Sequence, residues 1–377
     1  MGIQFSVKRD DFFKSISNQQ NITNKKGTLA ILANVLIETS ENHIVITGTD
    51  LEVGLRQKID AEISGHGIIT LPAKKLFEIT RESGSLHLSF KELEQNWVEI
   101  TSGSSIYKLA GVSAEEFPQF PEYDEENMGE IEADIISDLI DKTFFSIALD
   151  KENMFTLTAA MLQKEEKEND LFLKMVTSDG HRLTVMSKKL ADDFSGISLD
   201  EKKLISRRGV QEIRKFCESQ GKILFGSEKK QVVLKNENNV LIIRLVDGDF
   251  PDFEGLIQSL SGDNIIKVDR IRFLEGLKRI NLFTEDMFHS IKIEIEKNKI
   301  TLNSQNSDYG SAKDDFEIDY HGEQLTLGFN CQYFIDTIQA MESDTITLSI
   351  KSQESPCMVT SEEDFGFLGV IMPMKLQ

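Results

Sequence analysis

Apolar and polar residues follow two periods along this chain, and the order of those periods recurs. The segment VKRDDFFKSISNQQNI sets Phe12, Phe13 and Ile16 on one side at helical spacing with charged residues on the others, which predicts an amphipathic helix. Runs rich in Ile, Leu and Val follow, LAILANVLIET and HIVITGTDLEVGLRQKI, and predict strands separated by polar turns. GIITLPAKKLFEITRESG reads as a strand, a helix opened by Pro72 and a stop at Gly84. LHLSFKELEQNWVEIT and SIYKLAG predict two closing strands ahead of the Pro-punctuated EEFPQFPEYDEEN.

The same grammar then returns. ADIISDLIDKTF predicts a helix, followed by MFTLTAAMLQ and a polar turn KEEKEND; LFLKMVTS and RLTVMS predict strands, SRRGVQEIRKFCES a second helix, and KILFGS, QVVLKN and LIIRLVDG three more strands before DFPDFEGLI. One interval separates both Lys74-Lys75 from Arg207-Arg208 and Phe117-Pro118 from Phe250-Pro251. A third unit shows the order again in KVDRIRFLEGLKRINLF, SIKIEIEKN, KITLNSQ, LTLGFNCQYFIDTIQAMES, TITLSIKS and LGVIMPMKLQ. The fold class is therefore α+β, with three repeated helix-plus-sheet domains over 1–122, 123–256 and 257–377, the boundaries falling near Glu122 and Leu256.

Composition narrows the classes. With 40% hydrophobic and 28% charged residues over 377 positions, the chain is expected to fold throughout. The N-terminus has no signal-peptide pattern, and no run reaches the roughly 18 apolar residues of a membrane span, so a cytoplasmic location is expected. Cys217, Cys331 and Cys357 are odd in number and far apart, which suits neither a disulfide framework nor a zinc site. A net charge of -21 argues against nucleic acid unless charge is segregated. It is segregated: the stretches Lys8 to Lys26, Lys74 to Arg81, Lys202 to Lys215 and Lys267 to Arg279 are basic on an acidic remainder. No aromatic residues interleave with them and no recognition-helix or zinc-finger pattern occurs, so any DNA would be held through phosphates and shape.

The densest cluster of reactive side chains is TSDGHRLTVMS, with Asp179, His181 and Arg182. A general base His181 oriented by Asp179 is a poor geometry for residues two apart in a turn, and no activated nucleophile stands nearby. The first unit has Gly48-Thr49-Asp50-Leu51 at the same place, keeping the turn aspartate without His or Arg. His181 and Arg182 are thus a local addition belonging to a site. No phosphate loop, dinucleotide fingerprint or H-E-x-x-H helix occurs, and the acidic groups Glu165, Glu166, Glu168 and Asp124 to Glu126 read as solvated charge in turns or linkers. The apolar end Val370, Ile371, Met372, Pro373, Met374, Leu376 suits either a closing strand or a surface that receives apolar peptides. Read alone, these residues leave open a metal-dependent nuclease on Asp179 and His181 and a scaffold unrelated to DNA.

The strings ITGTDLEV, TLPAKKLFEITR, EEFPQFP, VTSDGHRLTVMS, RLVDGDFPDF, LGFNCQYFIDTI and VIMPMKL resemble, in order and spacing over essentially the whole chain, the bacterial sliding clamps, the beta subunits of DNA polymerase III. The resemblance implies the DNA clamp fold: a head-to-tail homodimer of six domains, helices lining the hole and sheets outside. It implies a non-enzymatic processivity factor that encircles duplex DNA, with no cofactor and no metal. The replicative DNA polymerase, the clamp loader, and repair and other polymerases would dock short apolar peptides in a pocket between the second and third domains. By the same resemblance that pocket comprises Leu157, Ser178, Gly180, His181, Arg182, Leu183, Pro251, Leu256, Asn330, Tyr333, Val370, Met372, Pro373, Met374 and Lys375. Lys26, Lys74, Lys75, Arg81, Arg207 and Arg208 would face DNA, and Tyr107 and Leu109 of one subunit would meet Leu282 and Phe283 of the other. Ala30, Ser178, Lys375 and the added Gln377 depart from the family's pattern, and an ammonium at Lys375 lacks the fork of a guanidinium.

Overall fold

The computed structural model describes residues 2–23, 29–149, 155–191, 202–218, 220–260, 264–284, 289–306 and 308–375. Their 24 strands fall into three runs of eight, and each run has the same order: one strand, a helix, four strands, a helix, three strands. The first copy runs from Gln4–Lys8 to Ser105–Ala110, the second from Met128–Glu132 to Asn239–Arg244, and the third from Asn264–Asp269 to Phe367–Ile371. In every copy strands two to five make one antiparallel group and strands one, six, seven and eight another.

Local chemistry explains the elements. In the helix Arg9–Ile22 the buried residues Phe12, Ser15, Ile16, Gln19 and Ile22 recur every three or four positions, so one stripe faces the sheet. Gln19 is tolerated on that stripe because its amide donates to the carbonyls of Ile46 (3.2 Å) and Leu55 (3.1 Å). Beneath it Phe5 and Phe90 stack at 4.6 Å in the first copy's core.

Three expectations need correction. LHLSFKELEQNWVEIT is two strands, His87–Glu92 and Trp97–Ser102, because Gln95 and Asn96 take left-handed backbone angles (φ 56° and 61°) and reverse the chain. Glu165 and Glu166 lie within the strand Ala159–Lys167, and the turn is confined to Glu168 and Asn169. Glu165 is not solvated charge: it is largely buried against Lys174 at 2.8 Å and Lys167 at 3.1 Å, and although burial alone would raise its pKa, those ammonium groups hold it below the usual range. The strand Gly310–Glu317 escaped the reading because its residues are mostly small or charged.

Two compact units divide the chain, one mainly Met1–Ala133 with Gln211–Leu245, the other Asp134–Ser195, Leu199–Val210 and Val246–Gln377. Inside the first, the fourth strand of copy one (Val53–Gly65) pairs with the eighth of copy two, Gly54 opposite Ile242. Inside the second, the fourth strand of copy two (Arg182–Lys189) pairs with the eighth of copy three, Leu183 opposite Val370. Both joints use equivalent strands. The remaining members of the series, the fourth strand of copy three (Gly310–Glu317) and the eighth of copy one (Ser105–Ala110), are sheet edges among the described residues.

The second joint also carries buried charge. Lys142 Nζ donates to Ala340 O (3.0 Å), Glu342 Oε1 (3.0 Å) and Asp364 Oδ1 (3.4 Å), tying copy two to copy three. Burial alone would raise the Asp364 pKa, but hydrogen bonds from Ser343, the Glu342 backbone and Ser361 pull it down to about 2. Burial opposes the charge on Lys142, and its carboxylate neighbours, Glu342 foremost, outweigh burial and raise its pKa.

Candidate functional site

The site begins with a turn present in all three copies. Asp50 Oδ1 accepts from the backbone N–H of Glu52 (3.1 Å) and Val53 (2.8 Å), and Asp179 Oδ1 accepts from those of His181 and Arg182, both at 3.0 Å. Asn306 does the same for Asp308 (2.8 Å) and Tyr309 (3.1 Å). The turn is a requirement of the fold, and the residues beyond it differ between copies. After Asp179 comes Arg182, whose fork is fully engaged: Nε to Asp179 Oδ2 (2.9 Å), one Nη to Asp336 Oδ2 (2.6 Å) and the other to the Phe145 carbonyl (2.7 Å). Its guanidinium also stacks 4.5 Å from the Tyr333 ring. Asp179 accepts from the turn and from Arg182, and among the described residues no hydrogen bond joins it to the His181 imidazole, so a base held by an orienting carboxylate is not formed at this turn.

Beside this turn lies a cavity of about 230 Å³ lined by Leu157, Ser178, Gly180, Arg182, Leu183, Phe250, Pro251, Asp252, Phe253, Leu256, Val370 and Met372. Its walls are mostly apolar, and the cross-strand pair Leu183 and Val370 belongs to them. Gly180 needs its φ of 86°, and an added Cβ there would sit 3.9 Å from Leu157, at the lining. The structure thus gathers Leu157, Ser178, Gly180, Arg182, Leu183, Pro251, Leu256, Val370 and Met372 of the expected residues around one hollow. The other six are not in the lining. His181 is exposed, 6.3 Å from Tyr333 ring to ring, and its carbonyl accepts from Met372 N–H at 2.9 Å. Asn330 caps the helix Cys331–Gln339 through Tyr333 N–H (3.2 Å), Met374 N–H is bonded to Gly328 O (2.8 Å), Pro373 is half-buried and Lys375 is exposed. Phe250, Asp252 and Phe253 were missed: FPQF and FPDF recur in the sequence and read as linker punctuation, whereas the second copy's phenylalanines are pocket wall.

At the first joint the corresponding place is closed. Phe120, the equivalent of Phe253, packs with Val240 and Ile242, and an added Cβ on Gly54 would come within 3.1 Å of its ring. Arg56 lies over that ring at 4.2 Å.

The basic positions are less uniform than their charge suggests. Lys74, Lys75 and Arg81 are exposed on the helix Ala73–Glu82, where the hydrogen bond from Lys75 (2.6 Å) holds Glu78 below the usual carboxylate range. Arg207 donates to Ile147 O at 2.6 Å and lies 4.2 Å from the Phe144 ring, so part of its guanidinium anchors the chain, and Arg208 is half-buried. Arg272 and Arg279 converge on Asp314 at 3.2 and 2.6 Å, which neutralises part of the fourth basic stretch. Lys26 lies outside the described residues. Tyr107 and Leu109 sit half-buried against the first copy's core on the edge strand, Leu282 is 70% exposed, and Phe283 is half-buried. The three cysteines are buried, and burial pushes the Cys331 thiol up to about 12 and that of Cys357 upward as well. Among the described residues no helix is long and apolar enough to cross a membrane, and no group of three or more His, Cys, Asp or Glu is placed to hold a metal ion.

Three family models match in succession: the DNA polymerase III beta subunit N-terminal domain over 3–121, its central domain over 130–252 and its C-terminal domain over 261–375. The chain belongs to the DNA polymerase III beta-subunit family. Among relatives of that family, the beta sliding clamp of Chlamydia pneumoniae is 28% identical over 378 residues, covering 99% of both chains, and that of Haemophilus influenzae is 28% identical over 381 residues, covering 99% of this chain and 100% of the other. Among solved beta sliding clamps, that of Caulobacter crescentus superposes with a TM-score of 0.92 at 24% identity, and that of Bartonella birtlesii with 0.91 at 25%, each over 99% of this chain and 100% of the other. The three-domain clamp fold and the processivity role of the sliding-clamp family, both expected from the sequence, hold for this chain.

Proposed function

We propose that two copies of the chain join head to tail into a six-domain ring that encloses duplex DNA and tethers polymerases to it without chemistry of its own. One observation carries this reading. Each internal joint pairs a fourth strand with an eighth strand, and among the described residues one of each is left without such a partner: Gly310–Glu317 and Ser105–Ala110. Gly54, Leu183 and Ser311 each stand opposite the residue before the turn acceptor, at Thr49, Ser178 and Gln305. On the other side Ile242, Val370 and Lys108 hold equivalent places opposite Val233, Met358 and Glu99. The open joint then sets Ser311 against Lys108 of the second copy, and Gly310 and Ala312 against its Leu109 and Tyr107. Leu282 and Phe283 would cover the open side of Tyr107 and Leu109, burying apolar surface at about 25 cal/mol per Å².

The three domains are 1–122, 123–256 and 257–377. Lys26, Lys74, Lys75, Arg81, Arg207 and Arg208 meet phosphates, and contact of that kind permits sliding because no base-specific minimum must be escaped. The cavity at the second joint takes apolar peptides of the replicative polymerase, the clamp loader and repair proteins, and the six expected residues outside its lining form its approaches. The Bartonella birtlesii clamp has been solved with griselimycin bound, which supports a ligand-binding surface on this fold. The protein works in the cytoplasm, where the replicating chromosome is. Light scattering at micromolar concentration should give twice the chain mass of 42.7 kDa, and Leu282→Asp, at an exposed position, should return a folded species of single-chain mass. Single-chain mass for the unaltered protein would contradict the ring.

A further inference from the structure

The second-joint cavity has three polar groups in its lining, Ser178, Arg182 and Asp252, and two of them are already committed. Ser178 Oγ donates to Arg182 O (2.8 Å) and accepts from Gly180 N–H (3.1 Å). Arg182 is held by two carboxylates and a carbonyl. Asp252 differs. It is exposed, its Oδ1 accepts from Gly255 N–H at 3.2 Å, and among the described residues it has no ion pair. Its neighbours add to the negative field: Asp247 and Asp249 are exposed and likewise without an ion pair among the described residues, and Glu254 reaches only Lys174, at 3.9 Å. Lys174 is itself drawn to Glu165 at 2.8 Å, and Lys202 lies 5.4 Å from the Phe253 ring. Among the described residues Asp252 is therefore the one charged side chain of the lining that is not already in an ion pair.

A purely apolar peptide laid across this mouth would strip water from the Asp252 carboxylate and return nothing for it, which is costly. From this geometry we propose that the peptides this pocket prefers carry a lysine or arginine next to the apolar anchor, placed to pair with Asp252. The proposal rests on the pocket being a peptide port and specifies which peptides it takes. Like charge at that position is repelled, so the preference is a matter of rejecting acidic peptides as well as attracting basic ones.

The test is a fluorescence titration of the full-length protein with labelled short peptides that share a Leu-Phe anchor and differ only in having Lys, Ser or Glu beside it. The Lys peptide should bind about tenfold more tightly than the Glu peptide at low salt, with the gap narrowing as salt screens the pair. D252N should bring the three to within about twofold of one another, the Lys peptide losing affinity and the Ser and Glu peptides gaining it because the carboxylate they desolvate or oppose is gone. Equal binding of Lys and Glu peptides by the unaltered protein, or a preference that survives D252N, overturns the proposal and leaves the peptide port intact. Failure of all three peptides, Ser included, overturns the port and the proposal together.

Discussion

The two internal joints are built from equivalent strands in the same register, yet one is sealed and the other is hollow. At the first, Gly54 opposite Ile242 leaves room for Phe120, whose ring lies on the pair and is capped by Arg56. At the second, Leu183 and Val370 are buried yet border the cavity, with Phe250, Phe253 and Leu256 as its other apolar walls. Their polar links differ as well. Gln57 donates to Asn239 across the first joint at 3.0 Å, a neutral amide pair, whereas the second is held by Arg182 with Asp336 and Lys142 with Asp364. A repeated fold thus supplies the joint for stability, and a hollow arises where one copy changes the residues beside it.

The sharpest way to break this comparison is to truncate the equivalent phenylalanines. Phe253→Ala, at a position 3% exposed, should cost about 3–5 kcal/mol in urea unfolding. Phe120→Ala, at a half-buried position, should cost roughly half as much, and equal losses would mean the first ring is as deeply embedded as the second. Next in size is the residue after each turn. Arg182→Ala leaves Asp179 and Asp336 facing each other without their cation and should cost about 3 kcal/mol, against about 2 kcal/mol for Val53→Ala, which only loses buried methyl groups. Arg182→Lys should recover less than half of the loss, since an ammonium cannot span three acceptors in the plane of the fork.

The smallest effect is one of pH, and it should touch the second joint alone. Asp364 is depressed to about 2 from an ordinary value of 3.8, so its contribution is complete above the ordinary carboxylate range and is lost as pH falls toward 2. Lys142 is raised, so its contribution is complete below the ordinary lysine range and is lost only as pH rises through its elevated folded value. The gap in urea midpoint between the unaltered protein and Asp364→Asn should be constant from neutral pH down to about 5 and close between about 4 and 2. Breaking the Gln57–Asn239 pair with Gln57→Leu should show no such pH dependence.

The repeat and most of its elements were legible in the sequence because hydrophobic period and punctuation agree in the first two copies. The shared turn was legible at Asp50 and Asp179, where the spelling is similar, but not at Asn306, where the acceptor is an amide and the hairpin is one residue longer. The features that stayed hidden depended on distant partners. Nothing near Arg272 and Arg279 in the chain announces that Asp314 neutralises them, and nothing near Arg182 announces Asp336. The hollow itself was only partly legible: Leu183 and Val370 come from segments far apart in sequence, and whether a phenylalanine seals a joint or borders a cavity depends on the residues opposite it.

Completion of the third joint by a second copy is the claim on which the tether stands. The most direct measurement loads the protein onto nicked circular DNA, raises the salt, and compares retention before and after a single restriction cut. A closed ring should stay on the circle and be lost when the DNA is linearised, because enclosure resists salt and phosphate contacts do not. Equal loss from circle and linear DNA would contradict it.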